Sequence, residues 1–179
     1  MKKISIVIPT YNEEETLDLL YERLKKLIDE INNYEFEVLF INDGSKDDTL
    51  KIIKNLRQKD SRISYVDFSR NFGKEIAMMA GLDYATGDAV IFMDADLQDP
   101  PELIPELIKY WEEGYDDVYA RRRSRQGETF LKKFTSKAYY NILQKLTKVE
   151  IQKDTGDFRL LDRRCVNALK KMRETRKML

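Results

Sequence analysis

Histidine does not occur anywhere in the chain, which removes the side chain most often used for proton transfer near neutral pH. A Ser-His-Asp triad is excluded with it, and any acid or base must be a carboxylate, lysine, tyrosine, cysteine or water. Cysteine is nearly absent too. Cys165 stands alone, so no internal disulfide can form, and the chain fits a reducing compartment. No apolar run approaches the roughly 20 residues that cross a bilayer. The apolar stretch over residues 4–9 is too short for a secretory h-region and alternates like a strand.

Net charge is missing as well, +0 at pH 7, but the balance is not local. Residues 1–120 carry 14 Lys and Arg against 26 Asp and Glu, net −12, while residues 121–179 carry 18 against 6, net +12. A length of 179 residues suits one domain over 1–179. The basic stretch suits phosphates or an anionic membrane surface, or it is the solvated face of ordinary helices. Its arginines lack interleaved stacking aromatics, and the acidic stretch repels a phosphate backbone, so no nucleic-acid partner is expected. No heptad or exposed apolar face sets the oligomeric state, which leaves a homo-oligomer open.

What is present is an alternation of β-branched runs with helical stripes. Strands are predicted over 3–8, 36–41, 63–68, 89–93 and 117–121. Helices are predicted over 14–32, from Asp47 or Asp48 to about 59, from 74 to about 85, and over 102–113. Such alternation gives a doubly wound, mainly parallel α/β sheet flanked by helices. Ligands in these sheets bind beyond the carboxyl ends of the strands, where the loops 9–13, 42–45, 69–74 and 94–99 all fall. Residues 121–127 (RRRSRQG) read as an exposed loop, and 128–146 as a basic amphipathic helix that either lies on a membrane interface or packs on the sheet. A turn and short strand follow from residue 155, then a last helix from about residue 163.

The densest chemistry lies in FMDADLQDPP, residues 92–101. Side chains two apart on a strand point the same way, so Asp94 and Asp96 converge while Ala95 faces the core. With Gln98 they offer an all-oxygen half-shell suited to Mg²⁺ or Mn²⁺, leaving positions for a diphosphate. Asp99 is the expected N-cap of the next helix, with Pro100 in its first turn and Glu102 at the capping-box position. The plain alternative is an acidic turn that binds nothing.

Taken in order, IPTYNE (8–13), NDGS (42–45), SRNFGKE (69–75), DADLQDPPEL (94–103) and TGDFRLLDR (155–163) resemble the family 2 glycosyltransferases. The likeness is greatest to the bacterial polyprenyl-phosphate (bactoprenol) glucosyltransferases, with the dolichol-phosphate mannose synthases close by. It implies a GT-A fold, a nucleotide-sugar donor, a divalent metal, and inverting transfer to a lipid phosphate at the cytoplasmic face of the cell membrane. By the same resemblance residues 1–120 bind the donor and 121–179 face the acceptor. Pro9, Tyr11, Glu13, Asp43, Lys74 and Asp94 fall on donor-binding positions, with Asp43 at the nucleobase and Lys74 near the diphosphate. Asp94, Asp96 and Gln98 fall on the metal and ribose site. Arg122, Lys132 and Arg159 fall on acceptor-phosphate positions, and Asp157 on the carboxylate usually called the base. Asn42 departs from the commoner aspartate. Plainer roles stand beside these: Tyr11 and Lys74 as loop residues, Asp43 as a turn former, Arg159 paired with Asp157 or Asp162.

UDP-glucose is the expected donor; GDP-mannose and UDP-N-acetylglucosamine stay open, as do a polysaccharide hydroxyl acceptor and a non-catalytic nucleotide-sugar-binding module. A phosphate monoester has a second pKa of about 6 and needs little deprotonation, so Asp157 is expected chiefly to position the acceptor. The polyprenyl-phosphate members continue into membrane-spanning helices. This chain therefore reads as a truncated or naturally short catalytic domain, by itself soluble and cytoplasmic.

Overall fold

The computed structural model describes residues 1–121 and 155–176, and elements are numbered within them. The basic loop 121–127 (beyond Arg121), the amphipathic helix 128–146, Arg122 and Lys132 lie outside those residues. Strand β1 (Lys2–Thr10) leads through α1 (Leu17–Glu30) to β2 (Tyr34–Asn42), and α2 (Thr49–Lys59) leads to β3 (Ile63–Asp67). Helix α3 (Lys74–Tyr84) returns the chain to β4 (Ala89–Phe92). A 3-10 turn (Pro101–Leu103) and α4 (Ile104–Glu112) precede β5 (Asp117–Arg121). Strand β6 (Thr155–Asp162) and α5 (Arg163–Arg176) complete the described elements.

The sheet order is β3-β2-β1-β4-β6-β5. Strands β1 to β4 pair in parallel, whereas β6 runs antiparallel to both of its neighbours. The mainly parallel, doubly wound expectation holds, with one refinement. β5 does not extend the parallel run beside β4, because β6 lies between them, and local periodicity carries no information about which strands become neighbours.

Both faces of the sheet are covered, which is why residues 4–8 of β1 are buried without a break, Ser5 included. Ile4, Ile6 and Ile8 face α1, α2 and α4, in a core with Leu20, Leu24, Ile53, Ile108, Phe158 and Leu160. Val7, Leu39, Ile41, Val90 and Phe92 face α3 and α5, packing on Ala77, Leu82 and Val166. Each fully buried aliphatic side chain of this kind contributes about 1.5–3 kcal/mol. Helix α3 comes unusually close: a Cβ on Gly81 would sit 2.2 Å from Val7 Cγ1.

Because β1 feeds outward to β2 and β3 while α3 brings β4 back on the other side of β1, the topological switch lies between β1 and β4. A crevice opens beyond the carboxyl ends at such a point. The loops that follow these two strands are residues 11–16 and 93–100.

The opposite edge is held by a polar cluster. Glu37 accepts hydrogen bonds from Ser5 Oγ (2.5 Å), from the Thr86 N–H (2.7 Å) and from Thr86 Oγ1 (2.8 Å), and pairs with Lys3 at 2.5 Å. Burial alone would raise its pKa, but the hydrogen bonds from Lys3, Ser5 and Thr86 outweigh that and hold it at about 2. A depressed carboxyl stabilises the fold above its unfolded pKa, near 4.5, and loses that contribution as pH falls toward 2. Glu37→Gln is therefore expected to lower unfolding stability by about 1–3 kcal/mol at pH 7. The two proteins should converge between pH 4.5 and 2 in urea titrations; a constant gap across that range would overturn the assignment.

At the start of α4 the capping expectation needs correcting. The 3-10 turn begins after Pro100 with no side-chain cap, and Glu102 reaches across to Arg23 (2.6 and 3.0 Å) instead of back to Asp99. Proline at the entry fixes the turn by its own φ, and the arginine on α1 is a stronger partner for the carboxylate than a backbone N–H.

Candidate active site

All four loops marked in the sequence line one cavity of about 280 Å³ at the switch point, together with the end of β1 and the start of α3. Its walls include Pro9, Tyr11, Glu13, Asp43, Lys74, Asp94 and Asp96, all singled out from sequence, with Thr10, Asn71, Gly73, Ala77 and Ala95 beside them. Gln98 is not in that lining. Its backbone N–H donates to Asp96 Oδ1 at 3.0 Å, a turn in which Leu97 takes a left-handed φ of 63°. Such a conformation is costly for a side chain branched beyond Cβ, and it is the kind of strain that clusters at functional loops.

Asp43 is almost completely buried, and each of its carboxylate oxygens accepts a backbone hydrogen bond, from Phe72 N–H at 2.7 Å and Gly73 N–H at 2.9 Å. Gly73, at φ 100°, is the residue from which α3 starts. Asp43 thus clamps the loop 69–73 and fixes where Lys74, the first residue of the helix, emerges. Gly44 completes the clamp. A Cβ there would lie 2.3 Å from the Arg70 carbonyl carbon, and its φ of 66° disfavours any other residue. Asn42 has a use that aspartate lacks, because its amide both donates to Asp67 Oδ1 (2.7 Å) and accepts from Ser45 Oγ (2.6 Å), joining the ends of β2 and β3.

The Lys74 ammonium lies 2.6 Å from Asp94 Oδ1, 2.8 Å from Asp94 Oδ2 and 2.7 Å from Asp157 Oδ2. Burial disfavours the ammonium, but bonds to Asp157 and Asp94 outweigh it and keep the pKa of Lys74 above its usual value. Burial raises the pKa of Asp94; Lys74 opposes this, and Asp99 and Asp96 add to it. Glu13 is also raised, by burial first and then, against a hydrogen bond with Thr16, by the charges of Asp96 and Asp94. The cavity is a concentration of negative charge relieved by Lys74.

Asp157, on β6, is therefore brought to the cavity edge through Lys74. Among the described residues Arg159 has no such contact. It pairs with Asp117 Oδ2 at 3.5 Å across β5 and β6, rather than with Asp157 or Asp162. Asp162 instead accepts the Trp111 indole N–H (2.8 Å) and caps α5 through the Arg164 N–H (2.8 Å). Arg163 donates to the carbonyls of Ala85 and Gly87, tying α5 to the turn before β4.

Among the described residues no group of three acidic or cysteine side chains forms a cage able to hold a metal ion by itself. Asp94 and Asp96 do share one cavity with an all-oxygen donor set. That arrangement fits Mg²⁺ or Mn²⁺ of the kind held by one or two carboxylates plus substrate phosphates.

Residues 5–169 match Glycosyl transferase family 2. The chain belongs to that family. An uncharacterised glycosyltransferase of Synechocystis sp. is 54% identical over 172 residues, covering 96% of this chain and 54% of its own length. A prophage bactoprenol glucosyl transferase homolog of Escherichia coli K12 is 46% identical, covering 96% of this chain and 56% of its own. The chain thus spans about half the length of these relatives. Residues 1–349 of S. aureus TarS superpose with a TM-score of 0.63 at 22% identity, covering 94% of this chain and 48% of that one, which establishes the shared GT-A fold. The same TarS fragment in complex with UDP-GlcNAc gives 0.54 at 28% identity, covering 71% and 36%.

Sequence reasoning missed Asn71 and Gly73 as cavity residues although both lie inside the quoted SRNFGKE motif; it went straight to the charged residue. It had no means of finding the Arg159–Asp117 pair, which depends on the sheet order.

Proposed function

We propose that this family 2 chain is the catalytic domain of a metal-dependent, inverting glycosyltransferase that moves glucose from UDP-glucose to a polyprenyl phosphate at the cytoplasmic face of the membrane. The observation that carries the reading is the meeting of Asp43, Lys74, Asp94 and Asp96 in one cavity at the switch point, with Asp157 joined to it through Lys74. The bactoprenol glucosyl transferase named among its relatives supports the acceptor and sugar, and the UDP-GlcNAc complex of TarS supports a uridine diphosphate donor.

In this reading residues 9–13 and 42–45 hold the nucleoside, and Lys74 meets the negative charge that develops on the departing diphosphate. Asp94 and Asp96 would hold the Mg²⁺ or Mn²⁺, which when bound supplies further positive charge against the same leaving group. Asp157 aligns the acceptor, whose phosphate oxygen is already ionised and attacks without surrendering a proton. Inversion follows from a single displacement at the anomeric carbon. Among the described residues no helix is long and apolar enough to cross a membrane. In this reading the net charge of +12 over residues 121–179 draws the domain to an anionic lipid surface.

A thermal-shift panel of UDP-glucose, UDP-N-acetylglucosamine and GDP-mannose, each with and without Mn²⁺, tests this. UDP-glucose with Mn²⁺ should raise Tm by several degrees, corresponding to about 2.7 kcal/mol at one hundred times Kd. Stabilisation by none of the donors, or equal stabilisation with and without metal, would sink the proposal.

A further inference from the structure

An ammonium has three N–H donors, and Lys74 has three carboxylate oxygens around it: both from Asp94 and one from Asp157, all within 2.8 Å. Both oxygens of Asp94 are thus engaged before any ligand arrives. Asp96 remains in the cavity lining, and no three acidic side chains among the described residues form a cage. A bare divalent cation approaching Asp94 meets a fixed positive charge and too few oxygens.

Resting on the reading of Asp94 and Asp96 as metal ligands, we infer that Lys74 is a tethered counter-cation that blocks metal binding until a nucleoside diphosphate enters. A diphosphate carries several negative charges and gives the ammonium an alternative partner. It also contributes the oxygens a hard cation lacks on this protein. Drawing Lys74 toward the diphosphate frees Asp94 for metal and Asp157 for the acceptor, so one event prepares both sides of the transfer. Position supports the interlock: Lys74 is the first residue of α3, its backbone fixed by the bonds of Asp43 to Phe72 and Gly73, so only its flexible side chain has to move. Metal and nucleotide affinities are then coupled, each raising the other by the same factor.

Water-proton relaxation enhancement, which separates Mn²⁺ on the protein from Mn²⁺ on free UDP, reads this directly. Without UDP, Lys74→Met should bind Mn²⁺ at least about tenfold tighter than the wild type, because a nearby positive charge has gone. Lys74→Gln should do the same, and it keeps a polar side chain should the methionine variant fold poorly. Lys74→Arg should stay as weak as the wild type. The gain in Mn²⁺ affinity on adding UDP should shrink by at least about tenfold in the methionine and glutamine variants. If those variants bind Mn²⁺ alone no tighter while the wild type takes it up with UDP, the interlock is overturned and the metal site stands. If the wild type takes up no Mn²⁺ even with UDP, the metal reading falls and the interlock falls with it.

Discussion

Asp157→Asn is expected to slow sugar transfer to a prenyl phosphate by about three orders of magnitude, and by the same factor at every pH between 6.5 and 9. Asp157 is half exposed and already bound to an ammonium, an arrangement that aligns neighbours rather than one that waits for a proton. The acceptor phosphate, with a second pKa of about 6, is ionised over that range. Asparagine keeps the shape and one oxygen but removes the charge that helps to hold Lys74. Steady-state kcat measured against pH separates the roles. A loss that shrinks as pH rises would mean that Asp157 takes a proton, as an uncharged hydroxyl acceptor would require, and would favour a polysaccharide acceptor over a lipid phosphate.

Asp94→Asn should lower kcat/KM by about two to three orders of magnitude and abolish the metal-dependent part of the thermal shift with UDP-glucose. Without ligand the variant should keep its stability within about 1 kcal/mol, since the Lys74–Asp94 pair is partly solvated at 38% and 28% exposure. The two readouts together tell a damaged site from a damaged fold. An undiminished Mn²⁺-dependent shift would remove Asp94 from the metal site.

The contrast between these two aspartates shows what the sequence carried. Asp94 and Asp96 both line the cavity, but β4 ends at Phe92, so they meet there on the loop after the strand and not by alternation along it; what the apolar run 89–93 announced was where that loop begins. The alternation of strands with helices placed the four loops at one sheet edge, and all four contribute to the cavity. Asp43 was found for its motif, yet the bonds of its carboxylate to Phe72 and Gly73 come from a contact between two loops almost thirty residues apart. Lys74 was marked as a partner for phosphate, and its grip on two aspartates needed β6 to be placed in space. The Arg159–Asp117 pair was out of reach for a related reason, since Asp117 comes close only when β5 takes the edge beside β6.

The position of β6 also bears on how this chain comes into being. β4 and β5 are synthesised early, but the strand that joins them, Thr155–Asp162, leaves the ribosome more than thirty residues after β5. Until then, among the described strands, β4 has one open side and β5 has no sheet partner, so the nascent acidic stretch presents unpaired edges of the kind that recruit other chains. The boundary near residue 120 that charge draws so sharply is therefore no place to cut. Expression of residues 1–120 alone would isolate a permanently unfinished sheet, and Phe158 and Leu160, which fill its core from the far side of that boundary, would be missing.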